Sequence, residues 1–437
     1  MAKKSKPLSV SASLREPEKQ DAKPSLVPKL RFPEFLDAEG WDADGLGKVA
    51  DFVNEKIPVE RVALENYVST ENILADYGGV AIASKLPTTG SVTRYRPNDT
   101  LVSNIRPYLK KVWVADKEGG ASNDVIVIRA KQRLLPQYFS CLLKNDAFID
   151  YVMTGAKGVK MPRGDIGSMK AYPTLYPSIP EQQKIAECLS SVDELMAAQA
   201  RKVDALKTHK KGLMQQLFPR EGETQPRLRF PEFSTSWKVG IVDELASMLM
   251  GNAFRSTDFV ESGTQVIRIG NLYQGELQLD RSPVYMTKLH AEENSRFIVE
   301  PLDLLMSMTG TVGKRDYGYV VQVPENCNPL LLNQRVMKVA SKKNCDTGFL
   351  LQLLKDERVL DQLYSRPGGT KQANLSAQDV KGMKISYPQI EEQQRIADCL
   401  SSLDDLIAAQ TQKLAALKTH KKALMQQLFP SPEEVQA

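Results

Sequence analysis

The sequence repeats itself, and the repeat fixes what the chain can fold into. Residues 181–219 read EQQKIAECLSSVDELMAAQARKVDALKTHKKGLMQQLFP, and residues 392–430 read EQQRIADCLSSLDDLIAAQTQKLAALKTHKKALMQQLFP. Of these 39 positions 29 are identical, at a constant offset of 211. A shorter box precedes each copy: LRFPEF spans Leu30–Phe35 and returns at Leu228–Phe233, followed by Trp41 and Trp237 respectively. The chain therefore divides into two halves, 30–219 and 228–430, each with a box, a variable region and a repeated segment. The variable regions share only faint echoes, such as PNDTLVS at Pro97–Ser103 against PLDLLMS at Pro301–Ser307, and DIGSMK at Asp165–Lys170 against DVKGMK at Asp379–Lys384. The Lys-, Ser- and Pro-rich residues 1–29 and the tail 431–437 are expected to be disordered or loosely attached.

Each repeated segment carries a heptad stripe. In the first copy it runs Ile185, Leu189, Val192, Met196, Gln199, Val203, Leu206, Lys210, Leu213 and Leu217, spaced alternately by four and three. The second copy gives Ile396, Leu400, Leu403, Ile407, Gln410, Leu414, Leu417, Lys421, Leu424 and Leu428, with polar residues in the same two slots. The spacing predicts two helices of roughly 55 Å. So narrow a stripe is buried only against a partner of matching length, and the other copy is the obvious one. Tyr176-Pro177 and Tyr387-Pro388 precede the helices, acids occupy their first turns, and Pro219 and Pro430 close them. A plain helical hairpin or a homodimeric coiled coil would use the same stripe, but would not explain why each helix follows a diverged globular region.

Composition narrows the class. At 42% hydrophobic and 25% charged residues the chain can bury a sizeable core. It has no apolar run of the ~20 residues a membrane helix needs. Cys141, Cys188, Cys327, Cys345 and Cys399 are odd in number and scattered, which fits a reducing cytoplasm better than a disulfide framework or a zinc site. A net charge of +5 permits nucleic-acid binding without demonstrating it.

Two similar globular regions on two similar helices point to a pseudo-two-fold object, with mixed α/β domains held apart by an antiparallel helix pair. That arrangement suits two DNA half-sites flanking an unread spacer, and diverged readers suit an asymmetric target. Here the chain resembles the specificity subunits of Type I restriction-modification systems, from Leu30 to Pro430. The likeness rests on the paired LRFPEF boxes with their tryptophans, the paired EQQ(K/R)IA helix starts after Tyr-Pro, and the paired LMQQLFP ends. It is nearest to the subgroup whose conserved region repeats within one chain. The resemblance implies target recognition domains at 30–178 and, with a linker, 220–389, and spacer helices at 179–219 and 390–430. It also implies double-stranded DNA, two modification (methyltransferase) subunits and restriction (motor and nuclease) subunits as partners. S-adenosylmethionine, ATP and Mg²⁺ would belong to those partners, with no cofactor in this chain.

Basic clusters mark candidate DNA contacts. In the first variable region they comprise Lys85, Arg94, Arg96, Asn104, Arg106, Lys110 and Lys111, then Lys157, Lys160 and Arg163 in the glycine-containing stretch GAKGVKMPR. In the second they comprise Arg255, Arg268, Asn271, Lys314, Arg315, Asn333, Gln334, Arg335, Lys371 and Gln372. Lysine and arginine neutralise phosphates, whereas arginine, asparagine and glutamine also read purine edges. A solvated surface charge is the alternative reading for each residue taken singly.

Catalytic signatures are missing. TGTVGK lacks the P-loop's first glycine, since Met308 stands there, and no Ser or Thr follows Lys314. Asn328-Pro329 continues as Leu-Leu, unlike an amino-methyltransferase loop, and His209, His290 and His420 build no metal or triad site. Segments such as Val125–Ile128, Val266–Ile269 and Tyr319–Val323 suit strands, and Gln137–Met153 and Thr347–Tyr364 suit helices. A standalone DNA-binding regulator, an enzyme fused to a spacer coil and a coiled-coil scaffold without DNA affinity are the rival readings. If the helices act as a ruler, inserting about four residues near Ala197–Gln199 lengthens one by ~6 Å. The unread spacer of the target should then change, or activity be lost, with half-site bases unaltered; unchanged spacing with full activity sinks the ruler.

Overall fold

The computed structural model describes residues 26–220, 222–365 and 372–430. It resolves two compact units, one formed by 1–198 with 415–437 and the other by 199–414. The repeated segments form two 39-residue helices, α1 (Ile179–Leu217) and α2 (Ile390–Leu428). Each helix contributes to both units: the first unit takes the start of α1 and the end of α2, the second the reverse. Of the N-terminal stretch read as loosely attached, residues 1–25 lie outside the described residues, as does the tail 431–437. Leu26 accepts a hydrogen bond from the Trp41 backbone N–H at 2.7 Å.

The two units share a strand plan. In the first, Ala50–Phe52, Val125–Ala130, Thr100–Ser103 and Val112–Val114 lie side by side in that order. In the second the same places are filled by Ala246–Met250, Val336–Ser341, Leu304–Ser307 and Val320–Gln322. The strand Val125–Ala130 (VIVIRA) shows why: its first four residues are all buried, as expected for a strand covered on both faces. A second sheet in each unit keeps three strands in common, a parallel pair with one antiparallel neighbour. It gains its fourth strand on opposite edges, Lys56–Pro58 against Ser91–Tyr95 in one unit and Tyr285–Met286 against Thr264–Ile267 in the other. Divergence thus falls at a sheet edge, where it disturbs least.

Two helical spans differ from the sequence reading. The helix expected over Gln137–Met153 is two, Pro136–Leu143 and Asp146–Thr154, and that over Thr347–Tyr364 is also two, Thr347–Lys355 and Glu357–Tyr364. The cause is local. Asn145 and Asp356, 211 residues apart, each take up extended backbone and accept the N–H two residues on, from Ala147 at 3.0 Å and Arg358 at 2.9 Å. A side-chain cap starts a new helix where apolar periodicity alone sees one.

The repeated boxes are anchors. Arg31 donates through Nε and Nη2 to both oxygens of Glu181, each at 2.8 Å, and Arg229 does the same to Glu392 at 2.7 Å. Glu181 and Glu392 are 1% and 2% exposed. The next residue completes the joint. Gln182 accepts the Leu135 N–H and donates to the carbonyls of Arg133 and Pro177, all at 2.9 Å, and Gln393 repeats this with Asp346, Asn344 and Pro388. The helix ends close on the same boxes. The Leu30 N–H donates to Gln427 O at 2.9 Å, and the Leu228 N–H to Gln216 O at 3.0 Å. Phe429 packs against Trp41 and Tyr138, and Phe218 against Trp237 and Phe349.

Within each unit the helix segments run antiparallel. In the second unit Lys210 pairs with Asp404 at 2.6 Å, while Gln199 Nε2 donates to Gln410 Oε1 at 3.0 Å and Gln410 O at 2.9 Å. In the first, Lys421 pairs with Asp193 at 2.6 Å, and Ile185 and Leu189 share a core with Met425 and Leu428. All twenty stripe positions named above are buried or half-buried. Beside the ion pairs lie Lys144 and Lys355, another pair at the 211 offset, whose ammonium pKa values burial pushes down.

Replacing Arg229 by alanine leaves Glu392 buried without its partner, which should cost about 3–5 kcal/mol in urea unfolding, whereas an apolar pair at both positions should cost less. A loss under ~0.5 kcal/mol for Arg229→Ala, the range of a neutral surface change, would refute the anchor.

Candidate nucleic-acid interface

The candidate residues separate by what already neutralises them. In the first unit Arg94 pairs with Glu55 and Glu118, each at 3.0 Å, and Arg96 with Glu55 at 3.1 Å. Lys110 meets Asp146 at 2.6 Å, Lys157 meets Asp165 at 3.3 Å, and Arg163 meets Asp124 at 3.0 Å. Lys111 donates to Thr70 O at 2.6 Å. Hydrogen bonds from Arg94 help hold the Glu55 carboxyl below the usual carboxylate range. Among the described residues Lys85, Arg106 and Lys160 carry no ion pair and no side-chain hydrogen bond.

The second unit sorts in the same way. Arg315 pairs with Asp361 at 2.6 Å and lies over the Tyr364 ring. Arg268 donates to Ser282 O. Asn271 is buried and fully engaged: it accepts the Arg268 N–H at 2.9 Å and donates to Gln278 O and Arg281 O at 2.9 and 3.0 Å. Asn333 accepts the Gln334 N–H at 2.8 Å, and Gln334 and Gln372 are exposed. Arg255, Lys314 and Arg335 are exposed without a side-chain partner among the described residues. Lys371 lies outside the described residues.

The structure brings several first-unit candidates together. The strand Thr100–Ser103 continues into Asn104–Arg106, and Ile105 bridges to Arg163. Lys157 and Arg163 exchange backbone hydrogen bonds at 2.9 Å, closing the loop between them. Gly158 adopts φ +99°, open to glycine at little cost. This loop presents Val159, fully exposed, between Lys157 and Lys160, and Met161, half exposed, just after. Charge counting had no means of finding that apolar tip, because exposure of a valine is decided by the fold. Close packing at Gly164 adds to the joint: a Cβ there would meet Met169 at 2.3 Å, Val152 at 2.9 Å and Asn104 Oδ1 at 3.0 Å.

The two α/β units share one strand plan, and each carries lysines or arginines without a side-chain partner among the described residues. The chain belongs to the Type I restriction modification DNA specificity domain family, which matches residues 39–208 and again 235–419. It is a specificity subunit, a component for DNA recognition. The Type I restriction enzyme MjaVIII specificity subunit of Methanocaldococcus jannaschii is 24% identical over 415 residues, covering 92% of this chain and 93% of that protein. The crystal structure of a Type I restriction-modification S subunit from M. genitalium superposes with a TM-score of 0.58 at 15% identity, over 93% of this chain and 99% of that one. A chain from a study of type I R-M complex assembly gives 0.54 at 17% identity, over 90% and 98%. These likenesses establish the fold. Among the described residues no helix is long and apolar enough to cross a membrane, and no group of three or more His, Cys, Asp or Glu is placed to hold a metal ion.

Unpaired cations release counterions on binding, whereas paired ones first give up an acid. Removing Lys85 or Lys160 should therefore flatten the salt dependence of DNA affinity, each lowering the log–log slope by about 1, while Lys157→Ala changes it less. Equal slopes for Lys160→Ala and the unaltered protein in a fluorescence-anisotropy titration would remove Lys160 from the interface.

Proposed function

We propose that this chain reads a bipartite, asymmetric DNA target, one half-site per recognition unit, and docks methyltransferase and restriction subunits that perform the chemistry. The observation that carries the reading is the shared strand plan with unlike side chains at equivalent strand ends: one scaffold used twice on different sequences needs just that. S-adenosylmethionine, ATP and Mg²⁺ act on the partner subunits in this reading. Unpaired lysines supply phosphate contacts that fix orientation, and the strand-end junctions supply base contacts that fix sequence. The repeated helices offer the partners two equivalent surfaces, since their segments 181–219 and 392–430 match at 29 of 39 positions.

The test is methylation mapping by long-read sequencing, with the chain co-expressed beside its neighbouring methyltransferase gene in a methylation-free host. A two-part asymmetric motif that needs both proteins is the expected result. A soluble complex that leaves no motif would overturn the reading, and tight specific binding without a methyltransferase partner would favour a standalone DNA-binding protein.

A further inference from the structure

One backbone junction recurs in both units with its side chains exchanged. In the first, the Asn104 N–H donates to Asp124 O at 2.9 Å and the Gly164 N–H to Asn104 O at 3.2 Å. In the second, the Met308 N–H donates to Arg335 O at 3.0 Å and the Leu375 N–H to Met308 O at 2.8 Å. The pairs 124/335 and 164/375 both keep the 211 offset. The hydrogen-bond skeleton is therefore the same, while Asn104 is replaced by Met308 at the equivalent position, Asp124 by Arg335, and Arg163 by Asn374.

The chemistry at this junction is unsettled in the free protein. Arg106 holds left-handed backbone, φ 51° and ψ 62°, directly before a proline. Both the handedness and the following proline disfavour that conformation for a residue with a side chain. Its Nε is buried without a hydrogen-bond partner, and so is the nearby Asn104 Oδ1. Arg106 has no ion pair among the described residues, although Arg94, Arg96 and Arg163 in the same unit all do. Its backbone N–H donates to Pro162 O at 2.8 Å, tying it to the base of the protruding loop that carries Val159. In the second unit the free arginine at the junction is Arg335, exposed, on the residue equivalent to Asp124.

We propose that this junction is the base-reading element of each unit, with Arg106 and Arg335 each reading a guanine in its own half-site. The inference rests on the bipartite reading above. An arginine fork matches the two acceptors of a guanine's major-groove edge, which no other base presents in that geometry. Strain and an unpartnered Nε persist in a folded protein where the surroundings over-determine them, and such outliers gather at ligand contacts. The exchange of Asp124 for Arg335 on one skeleton moves the arginine to a neighbouring strand end, so the two units would read guanines at different steps of their half-sites.

The experiment is methylation mapping of Arg106→Ala, Arg106→Lys, Arg335→Ala and Lys160→Ala, each co-expressed with the methyltransferase. Arg106→Ala should relax one G·C position in one half of the motif, by about ten- to a hundred-fold in discrimination, and leave the other half intact. Arg335→Ala should do the same in the opposite half. Lys160→Ala should lower methylation overall with no letter changed. Arg106→Lys keeps the charge and most of the reach but not the fork; it should relax the same position as Arg106→Ala, and it decides the matter if the alanine variant fails to accumulate. Motifs unaltered by Arg106→Lys and Arg335→Ala, with the unaltered protein giving its two-part motif, would overturn this inference alone. No motif from the unaltered protein would overturn the bipartite reading with it.

Discussion

The paired Arg–Glu clamp is the contact on which the rest of this structure depends. Glu181 and Glu392 each sit in the first turn of a 39-residue helix and are almost wholly buried. A carboxylate there profits from the positive helix start, but burial makes it costly unless a cation faces it. Arg31 and Arg229 meet that need with two-pronged geometry and then spend remaining donors on carbonyls just past their boxes, Ala38 and Glu39 in one and Thr235 in the other. The result fixes where a helix begins relative to the box. Gln182 and Gln393, one residue on, fix the same helix start against the helical layer of each unit. The EQQ and LRFPEF motifs are therefore two sides of one joint, and their duplication follows from the joint being made twice.

Because each helix belongs to both units, the main core of each unit draws on both ends of the repeat. The first unit's core contains Ile185 and Leu189 from α1 together with Met425, Leu428 and Phe429 from α2. The second contains Ile396 and Leu400 from α2 with Leu217 and Phe218 from α1. A purely apolar stripe would tolerate several registers. The polar positions narrow the choice: Gln199 bonds Gln410 and Lys210 reaches Asp404, and any slip would leave half-buried groups unmatched. Here the ion pairs contribute specificity of register more than raw stability, since their charges are partly solvated.

Much of this architecture is legible in the sequence, because long heptads and exact repeats are periodic signals. The breaks at Asn145 and Asp356 were not, since each depends on one side chain choosing its neighbour's N–H over solvent. The interface is less legible still. Charge clusters flagged Arg94 and Arg96 as readily as Arg106, and only the fold reveals that Glu55 and Glu118 engage the first two. Asn271 looked like a purine reader by residue type, yet all its amide capacity goes to its own loop. The carboxylates that decide these cases lie up to 41 residues away along the chain, beyond any local pattern.

The two units show how a reader can diverge without losing its fold. Their shared hydrogen bonds are backbone to backbone, at Asn104 and Gly164 in one and at Met308 and Leu375 in the other, so they survive any change of side chain. Side-chain space is set separately in each unit: a Cβ on Gly164 would strike Met169, whereas its counterpart Leu375 carries a full side chain, and Asn104 and Met308 at one equivalent position differ in every chemical respect. Such a junction separates two demands that usually conflict. Main-chain pairing holds the strand ends in register, and the side chains are left to answer to whatever lies outside.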